Sequence, residues 1–589
     1  MKCQKIVFFI VLNISAFSFS QGFLRTQGTE IVNDNGPVIL RSIGTGNWMI
    51  MEGYMMQSTS AGIDTHTKYR LKLNETIGKE RTDEFFDTWT ANHFTKTDLD
   101  SMKVWGFNSL RVALHYKTLT LPIEAEKRNS EGVLQNTWLE VGFEKIDELL
   151  SWCAENEMYL ILDMHGAPGG QGKNASISDY DPSLPSLWES EENKEKLIAL
   201  WIKLAERYKE SPWIGGFDMI NEPNWAFEGS KHPNGCDCQN NDDIWDLHER
   251  IIKAIRTVNS NHMVYVSGNC WGGNYNSFDK HSLKNADANM AITFHKYWNS
   301  NNDNALDKWI AMRNTYQLPL WMSEGGENSN TWFSDCIALY EKHHIGWSWW
   351  PVKKSKINNV LKVTTDKNYI DLMDSWKANT PLSADQTYEA VMGYADNHRI
   401  ENCTVAKDVI YAMTKQVKSN DTEPFKNHTA GQAILFADYD MGRDGYAYYD
   451  VVSADYHVDD GTDRANWNSG FYYRNDGVDI GNFEGTPYVG WTEKGEWMQY
   501  TINIPDEGHY NFVINSAAEE KGGALKIEVA GKGIHEEIEL PTTNTLENWE
   551  ALTSAPVSLP KGTVKIKIYI EKAGSNLLDF NLVPAIEKQ

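Results

Sequence analysis

The sequence predicts a (β/α)8 barrel followed by an all-β antiparallel sandwich of jelly-roll type. Three observations predict it. Short apolar runs alternate with stretches of helical spacing as far as about residue 417, the pattern of a parallel sheet wrapped by helices. Several of those runs end in a polar or charged residue, at the carboxyl end of a strand, where barrel chemistry sits. Beyond residue 431 the period changes to strict alternation with frequent turns and no helix, as in antiparallel strands buried on one face.

At 589 residues the chain is too long for a single core, so more than one domain is expected. Hydrophobic residues at 41% and charged residues at 23% are globular values. The net charge of −26 excludes nucleic acid and an anionic membrane as partners, because both require a basic surface. A neutral polymer carries no such conflict. The 23 Trp and 26 Tyr supply more amphipathic rings than a core needs, and such rings suit the faces of sugars.

Residues 1–20 read as a secretory leader. Lys2 and Lys5 precede the apolar run Ile6 to Leu12, and small residues lead to a cleavage point near Ser20. The run is shorter than the ~20 residues of a membrane span. A secreted or periplasmic location without membrane insertion follows.

The barrel domain is expected over 21–418. Its strands are expected at 38–44, 106–114, 159–166, 216–222, 263–268, 291–295, 318–324 and 345–350. Helical spacing falls at 99–104, 143–155, 197–208, 244–258 and 332–342, with a closing helical stretch to about 417. In the fourth strand Phe217, Met219 and Ile220 suit a buried parallel strand, and Pro223 stops it because proline cannot donate to a ladder. Insertions at 176–190 and 227–241 are expected to wall the mouth. Residues 419–431 read as a linker, and 432–589 as the sandwich. There 525–529 and 564–570 alternate strictly.

Six cysteines follow Cys3. They allow one or two bridges outside the cell without fixing the pairing. Cys236 and Cys238 with His232 lack a full ligand set, so neither a metal nor a cofactor is expected.

Two carboxylates carry the chemistry. Glu222 and Glu324 each follow an apolar run, the second before Gly325 and Gly326. On two strands of one barrel they face each other across the mouth. Hydrolysis of a glycoside with retention needs such a pair, with carboxyl groups roughly 5–5.5 Å apart. One stays protonated and donates to the leaving oxygen while the other attacks the anomeric carbon.

These motifs resemble glycoside hydrolase family 5, a retaining (β/α)8 family, over about 25–417. Asn221-Glu222-Pro223 resembles its acid/base motif and Glu324 its nucleophile. The resemblance extends to Arg111, His165, the pair His295 and Tyr297, and the aromatic eighth strand ending at Trp350. It implies that Arg111 and Tyr297 hold Glu324, that Asn221 binds the sugar 2-hydroxyl, and that His165 and His295 bind hydroxyls as neutral donors. Trp350 is then a sugar platform. Residues 165–171 and 48–52 resemble the exo-β-1,3-glucanase branch, which implies that Glu52 binds the terminal sugar. Residues 432–585 resemble carbohydrate-binding module family 6, on 437–440, 477–480, 489–500 and 576–580. That implies a sugar held between Trp491 and Trp549 with Asn576 donating. Leu435 and Ala437 stand where that family has calcium-binding glutamates, so no structural calcium is expected.

The resulting expectation is a secreted retaining hydrolase of a β-glucan, with β-1,3-glucan favoured, that meets a polysaccharide or oligosaccharide. The same machinery serves β-1,4-glucan, β-1,6-glucan, mannan or xylan. A catalytically dead carbohydrate-binding protein is the remaining alternative.

Overall fold

Eight parallel strands close into a barrel in the computed structural model. They are β1 (Arg41–Gly44), β2 (Ser109–His115), β3 (Tyr159–Gly166), β4 (Ile214–Asp218), β5 (Val264–Val266), β6 (Met290–Lys296), β7 (Leu320–Gly326) and β8 (Gly346–Trp350). Each pairs with its sequence neighbours, and β8 returns to β1. The structure describes residues 22–586 except 282, 284–286, 298, 453–467, 520–521, 531–532 and 535–536. The expected leader at 1–20 lies outside the described residues.

Every residue of β2, β3, β4 and β7 is buried. That is why these strands read as continuous apolar runs, since helices cover the outside and side chains fill the inside. Helices Glu140–Glu155, Glu191–Tyr208, Asp242–Arg256 and Asn330–Lys342 pack against them. Helix Asp242–Arg256 shows how: Ile244, Leu247, Ile251, Ile252 and Ile255 form one buried stripe at helical spacing. At the amino ends of the strands, a hairpin of Arg25–Gln27 and Glu30–Asn33 covers the barrel. Its Leu24 and Ile31 join Tyr159, Met263, Tyr265 and Trp321 in an apolar floor.

The structure differs from the expected elements in three places. β4 ends at Asp218 rather than running to Pro223. Its neighbour β5 has only three residues and pairs with Phe217 and Asp218, so the ladder runs out there. Met219 and Ile220 stay buried, and Glu222 then turns the backbone with φ 46°. Second, helices His66–Ile77, Lys79–His93, Lys367–Ala378 and Ala384–Asp396 form a further bundle. They hold the loop after β1: Trp89 Nε1 donates to the Asn47 carbonyl at 2.9 Å, and Tyr369 Oη to that of Met56 at 2.8 Å. Third, residues 419–431 are mostly exposed but tied to both domains. Tyr411 Oη donates to the Asp421 carbonyl at 2.8 Å, and His428 and Thr429 pair in parallel with Ile502 and Asn503.

Among the described residues, the C-terminal domain is two stacked sheets of seven strands each. One centres on Trp497–Ile504 and Gly562–Lys572, the other on Gly508–Ala518 and Ser575–Pro584. In Gly562–Lys572 buried Val564, Ile566, Ile568 and Ile570 alternate with more exposed residues, which is the period-two signature that identified the sandwich. Among the described residues no helix is long and apolar enough to cross a membrane.

Candidate active site

A cavity of about 530 Å³ opens at the carboxyl ends of the barrel strands. Glu52, Tyr54, His165, Glu222, Trp271, His295, Tyr297, Glu324 and Trp350 are among its lining residues. Glu324 lies within β7 and Glu222 follows β4. One oxygen of each, with a ring nitrogen of His295, lie within 4.8 Å of one another. This separation suits a direct attack on a sugar carbon held between the carboxylates, rather than an intervening water.

Glu324 accepts twice. Arg111 Nη1 donates to Oε2 at 2.7 Å, and Tyr297 Oη donates to Oε1 at 2.7 Å. A carboxylate filled by two donors on separate oxygens plays the acceptor-only role of the ionised form. Arg111 also donates from Nε to Asp218 at 3.0 Å and from Nη2 to Asn221 Oδ1 at 2.7 Å. Asp163 lies 3.1 Å from Nη2. Burial works against the Arg111 charge, but Asp163, Asp218 and Glu324 together hold the guanidinium above its ordinary range. Burial raises Asp218 to about 7, against the pull of Arg111.

Glu222 is as buried as Glu324 but differs in its hydrogen-bond partners. Its Oε1 lies 2.6 Å from His295 Nδ1, and among the described residues no arginine hydrogen-bonds to it. Burial pushes it up to about 7, although the His165 and Arg111 charges pull its proton affinity down, while burial pushes His295 down to about 4. A neutral imidazole beside a carboxyl that holds its proton near neutrality is the environment of a general acid. The two glutamates thus share a mouth but not an electrostatic setting.

The third cluster is His165, Glu52 and Trp350. His165 Nδ1 lies 2.8 Å from Asp163 Oδ2, and its Nε2 lies 3.8 Å from Glu52 Oε1. Burial alone would lower His165, but Asp163 and Glu52 carry it up to about 10. His165 therefore departs from the expected neutral donor, because it sits between two carboxylates. His295, by contrast, is lowered by burial, which favours the neutral ring. Burial raises Glu52 to about 7. Buried Gln171 ties this cluster to Asn221, donating to the carbonyls of His165 at 2.7 Å and Asn221 at 2.8 Å.

Of the two expected insertions only 176–190 contributes to the described lining of the cavity, and a loop that was not anticipated supplies another wall. Ile177 lines the cavity from the first insertion, and Asn174 from the residues just before it. The second is tied by a Cys236–Cys270 disulfide to the loop after β5, where Cys270 and Trp271 line the cavity. Cys238 remains a buried thiol. Asp163 and Asp218 were also missed. Asp163 precedes His165 by two, so strand alternation placed both on one face. Trp271, in a left-handed turn at φ 53°, had no periodic signal.

In the sandwich, Trp491 and Asn576 meet at a second cavity of about 720 Å³. Trp491 is 54% exposed. Trp549 does not face it as expected. It packs edge-on against Phe483 at 5.7 Å and tilted against Tyr488 at 5.6 Å. Tyr488 takes the near position instead, parallel to Trp491 at 6.5 Å. The Asn576 amide donates to the Leu546 carbonyl at 2.9 Å.

Comparison with known proteins agrees with this arrangement. The profile of the cellulase family, glycosyl hydrolase family 5, matches residues 62–356, and that of carbohydrate binding module family 6 matches 464–584. A β-xylosidase of Phanerodontia chrysosporium is 25% identical over 60% of this chain and 76% of its own. A probable glucan 1,3-β-glucosidase A of Aspergillus clavatus is 22% identical over 41% of this chain and 53% of its own. Thus the chain spans about half the length of that second relative. Among solved structures, a β-glucanase of Saccharophagus degradans in complex with cellotetraose has a TM-score of 0.38 at 14% identity, over 64% of this chain and 94% of its own. The paired carboxylates at the mouth of an eight-stranded barrel and the match over 62–356 lead to one conclusion: the chain belongs to glycosyl hydrolase family 5, joined to a C-terminal domain of carbohydrate-binding module family 6.

Proposed function

We propose that this is a secreted retaining hydrolase of a β-glucan, with β-1,3-glucan its preferred substrate, in which Glu324 is the nucleophile and Glu222 the acid/base. The observation that carries the reading is the asymmetry of the pair. Glu324 accepts from Arg111 and Tyr297, whereas Glu222 has His295 as its hydrogen-bond partner and is raised by burial to about 7, against the pull of the His165 and Arg111 charges. In the first step the Glu324 carboxylate attacks the anomeric carbon, and the Glu222 proton passes to the leaving oxygen. In the second, Glu222 takes a proton from water, the hydroxide oxygen displaces Glu324, and both glutamates return to their starting states. His165, Glu52 and Trp350 bind the sugar on the far side of the cleavage point, and Asn221 reads its 2-hydroxyl. The Trp491 cavity holds the polymer and raises its local concentration. The apolar leader and the Cys236–Cys270 bridge support an oxidising, extracytoplasmic location.

The β-1,3 preference rests on the resemblance of 48–52 and 165–171 and on the glucan 1,3-β-glucosidase relative. The β-xylosidase relative, matched over more of the chain, makes a β-xyloside the second reading. A product profile on laminarin, pustulan, cellulose, mannan and xylan separates them. Glu324→Ala should abolish turnover yet keep polysaccharide binding. Retained turnover removes Glu324 as nucleophile.

A further inference from the structure

The sandwich is linked to the nucleophile by three hydrogen bonds in series, joined through the covalent frames of Asn328 and Tyr297. Its segment around Asn475 enters the barrel beside the loop after β7. Asn475 Nδ2 donates to the carbonyl of Asn328 at 2.8 Å. Asn328 Nδ2 donates to the carbonyl of Tyr297 at 2.9 Å. Tyr297 Oη donates to Glu324 Oε1 at 2.7 Å. Asn328 is fully buried and Asn475 nearly so. Further bonds hold the junction: Asn475 Nδ2 also donates to Asn330 Oδ1 at 3.0 Å, Asn330 Nδ2 to Asp476 Oδ1 at 2.7 Å, Asn330 N to the Asn475 carbonyl at 3.1 Å, and Asn475 N to Asp408 Oδ2 at 2.8 Å. Within the sandwich, Arg474 pairs with Asp476 at 2.6 Å and lies 3.9 Å over the Tyr439 ring. The segment is therefore braced before it touches the barrel.

We propose that Asn475 of the carbohydrate-binding domain is a positioning residue for the nucleophile, acting through Asn328 and Tyr297. This rests on the reading of Glu324 as nucleophile. The physical reason is that Tyr297 stands just past the last residue of β6, Lys296, and the Asn328 amide holds its carbonyl there. Its hydroxyl must nevertheless stay within hydrogen-bond reach of Glu324 Oε1. The Asn328 side chain fixes the carbonyl of Tyr297, and Asn475 fixes Asn328 from the other domain. In a buried polar network each member is left without a partner when its neighbour is lost. Loosening Asn475 should therefore be felt two residues away. The domain that gathers substrate would also complete the site that cleaves it.

The test uses the full chain and a small soluble aryl β-glycoside, so that polymer capture by the sandwich contributes nothing. Asn475→Ala should lower kcat about tenfold with KM unmoved, because misplacement of a reacting group acts on the chemical step. In the Tyr297→Phe background the same change should add nothing further, since both act on one bond. A purely structural role for Asn475 gives equal losses in the two backgrounds and overturns the proposal, as does an unchanged kcat. Should Asn475→Ala not fold, Asn328→Ser removes the amide that donates to Tyr297 without touching the sandwich, and the same cycle is read. Glu324→Ala separates the two failures. If it retains turnover the nucleophile assignment falls; if it is inactive while Asn475→Ala is normal, only the relay falls.

Discussion

The imidazole of His165 and the indole of Trp350 lie parallel, 4.7 Å apart and 7° from coplanar. Held at about 10 by its carboxylate neighbours, His165 presents a cation to the indole face, an attraction that desolvation strengthens. Trp350 Nε1 also donates to Tyr54 Oη at 3.2 Å. The platform is thus fixed from one face and one edge before a sugar arrives. Trp350→Ala should raise KM and lower kcat/KM by about 10–100-fold, as loss of a preorganised aromatic contact does. Trp350→Phe keeps a ring but loses the Tyr54 bond and should fall between. Initial-rate kinetics on a β-glucoside measure both.

The pH profile should expose Glu222. As general acid it acts only while protonated, and burial places its loss of the proton at about 7. Activity should therefore fall as pH rises through about 7. Glu52 rises to about 7 as well, so the limb needs assignment. In Glu52→Gln the overall rate should drop while the basic limb stays in place. A limb that vanishes in Glu52→Gln transfers the titration to that residue.

The same shift has a stability consequence. Glu222 binds its proton more tightly folded, at about 7, than at its ordinary value of 4.5. Its contribution is fully present below about 4.5 and is lost as pH rises through about 7. At about 1.4 kcal/mol per unit, the ionised carboxylate costs the folded state about 3 kcal/mol at pH 8. Glu222→Gln should thus melt higher than the parent at pH 8 and alike at pH 4. Differential scanning calorimetry at the two values reads it.

The Cys236–Cys270 bridge closes a separation of 34 residues, for which chain entropy predicts about 3–4 kcal/mol. Cys270 and Trp271 line the cavity. Replacing both cysteines by serine should lower the melting temperature and raise KM several-fold, with kcat less affected. Equal losses in kcat and KM terms would place the loop in the chemical step instead.

Much of the barrel was legible because its strands are buried on both faces and so stand out as apolar runs. Glu222 and Glu324 were legible because each ends such a run beside a residue that stops it. The end of β4 was not, since ladder length depends on the partner strand: β5 is three residues long, and no local signal in 216–222 reveals that. Helices His66–Ile77 and Lys79–His93 were missed for a related reason. Their apolar faces meet helices about three hundred residues away, as in the Tyr69 to Tyr369 hydroxyl contact. Trp549 misled because a tryptophan alone does not say which neighbour will cover it. His165 misled because its charge is set by Asp163 and Glu52, and only the second lies on a different element.

The hairpin at 25–33 gives the cylinder a floor. Leu24 and Ile31 sit against Tyr159, Met263 and Trp321, at the end away from the carboxylates. Changes made beneath should register in a melting curve and leave turnover alone, so the two ends of the barrel can be engineered separately.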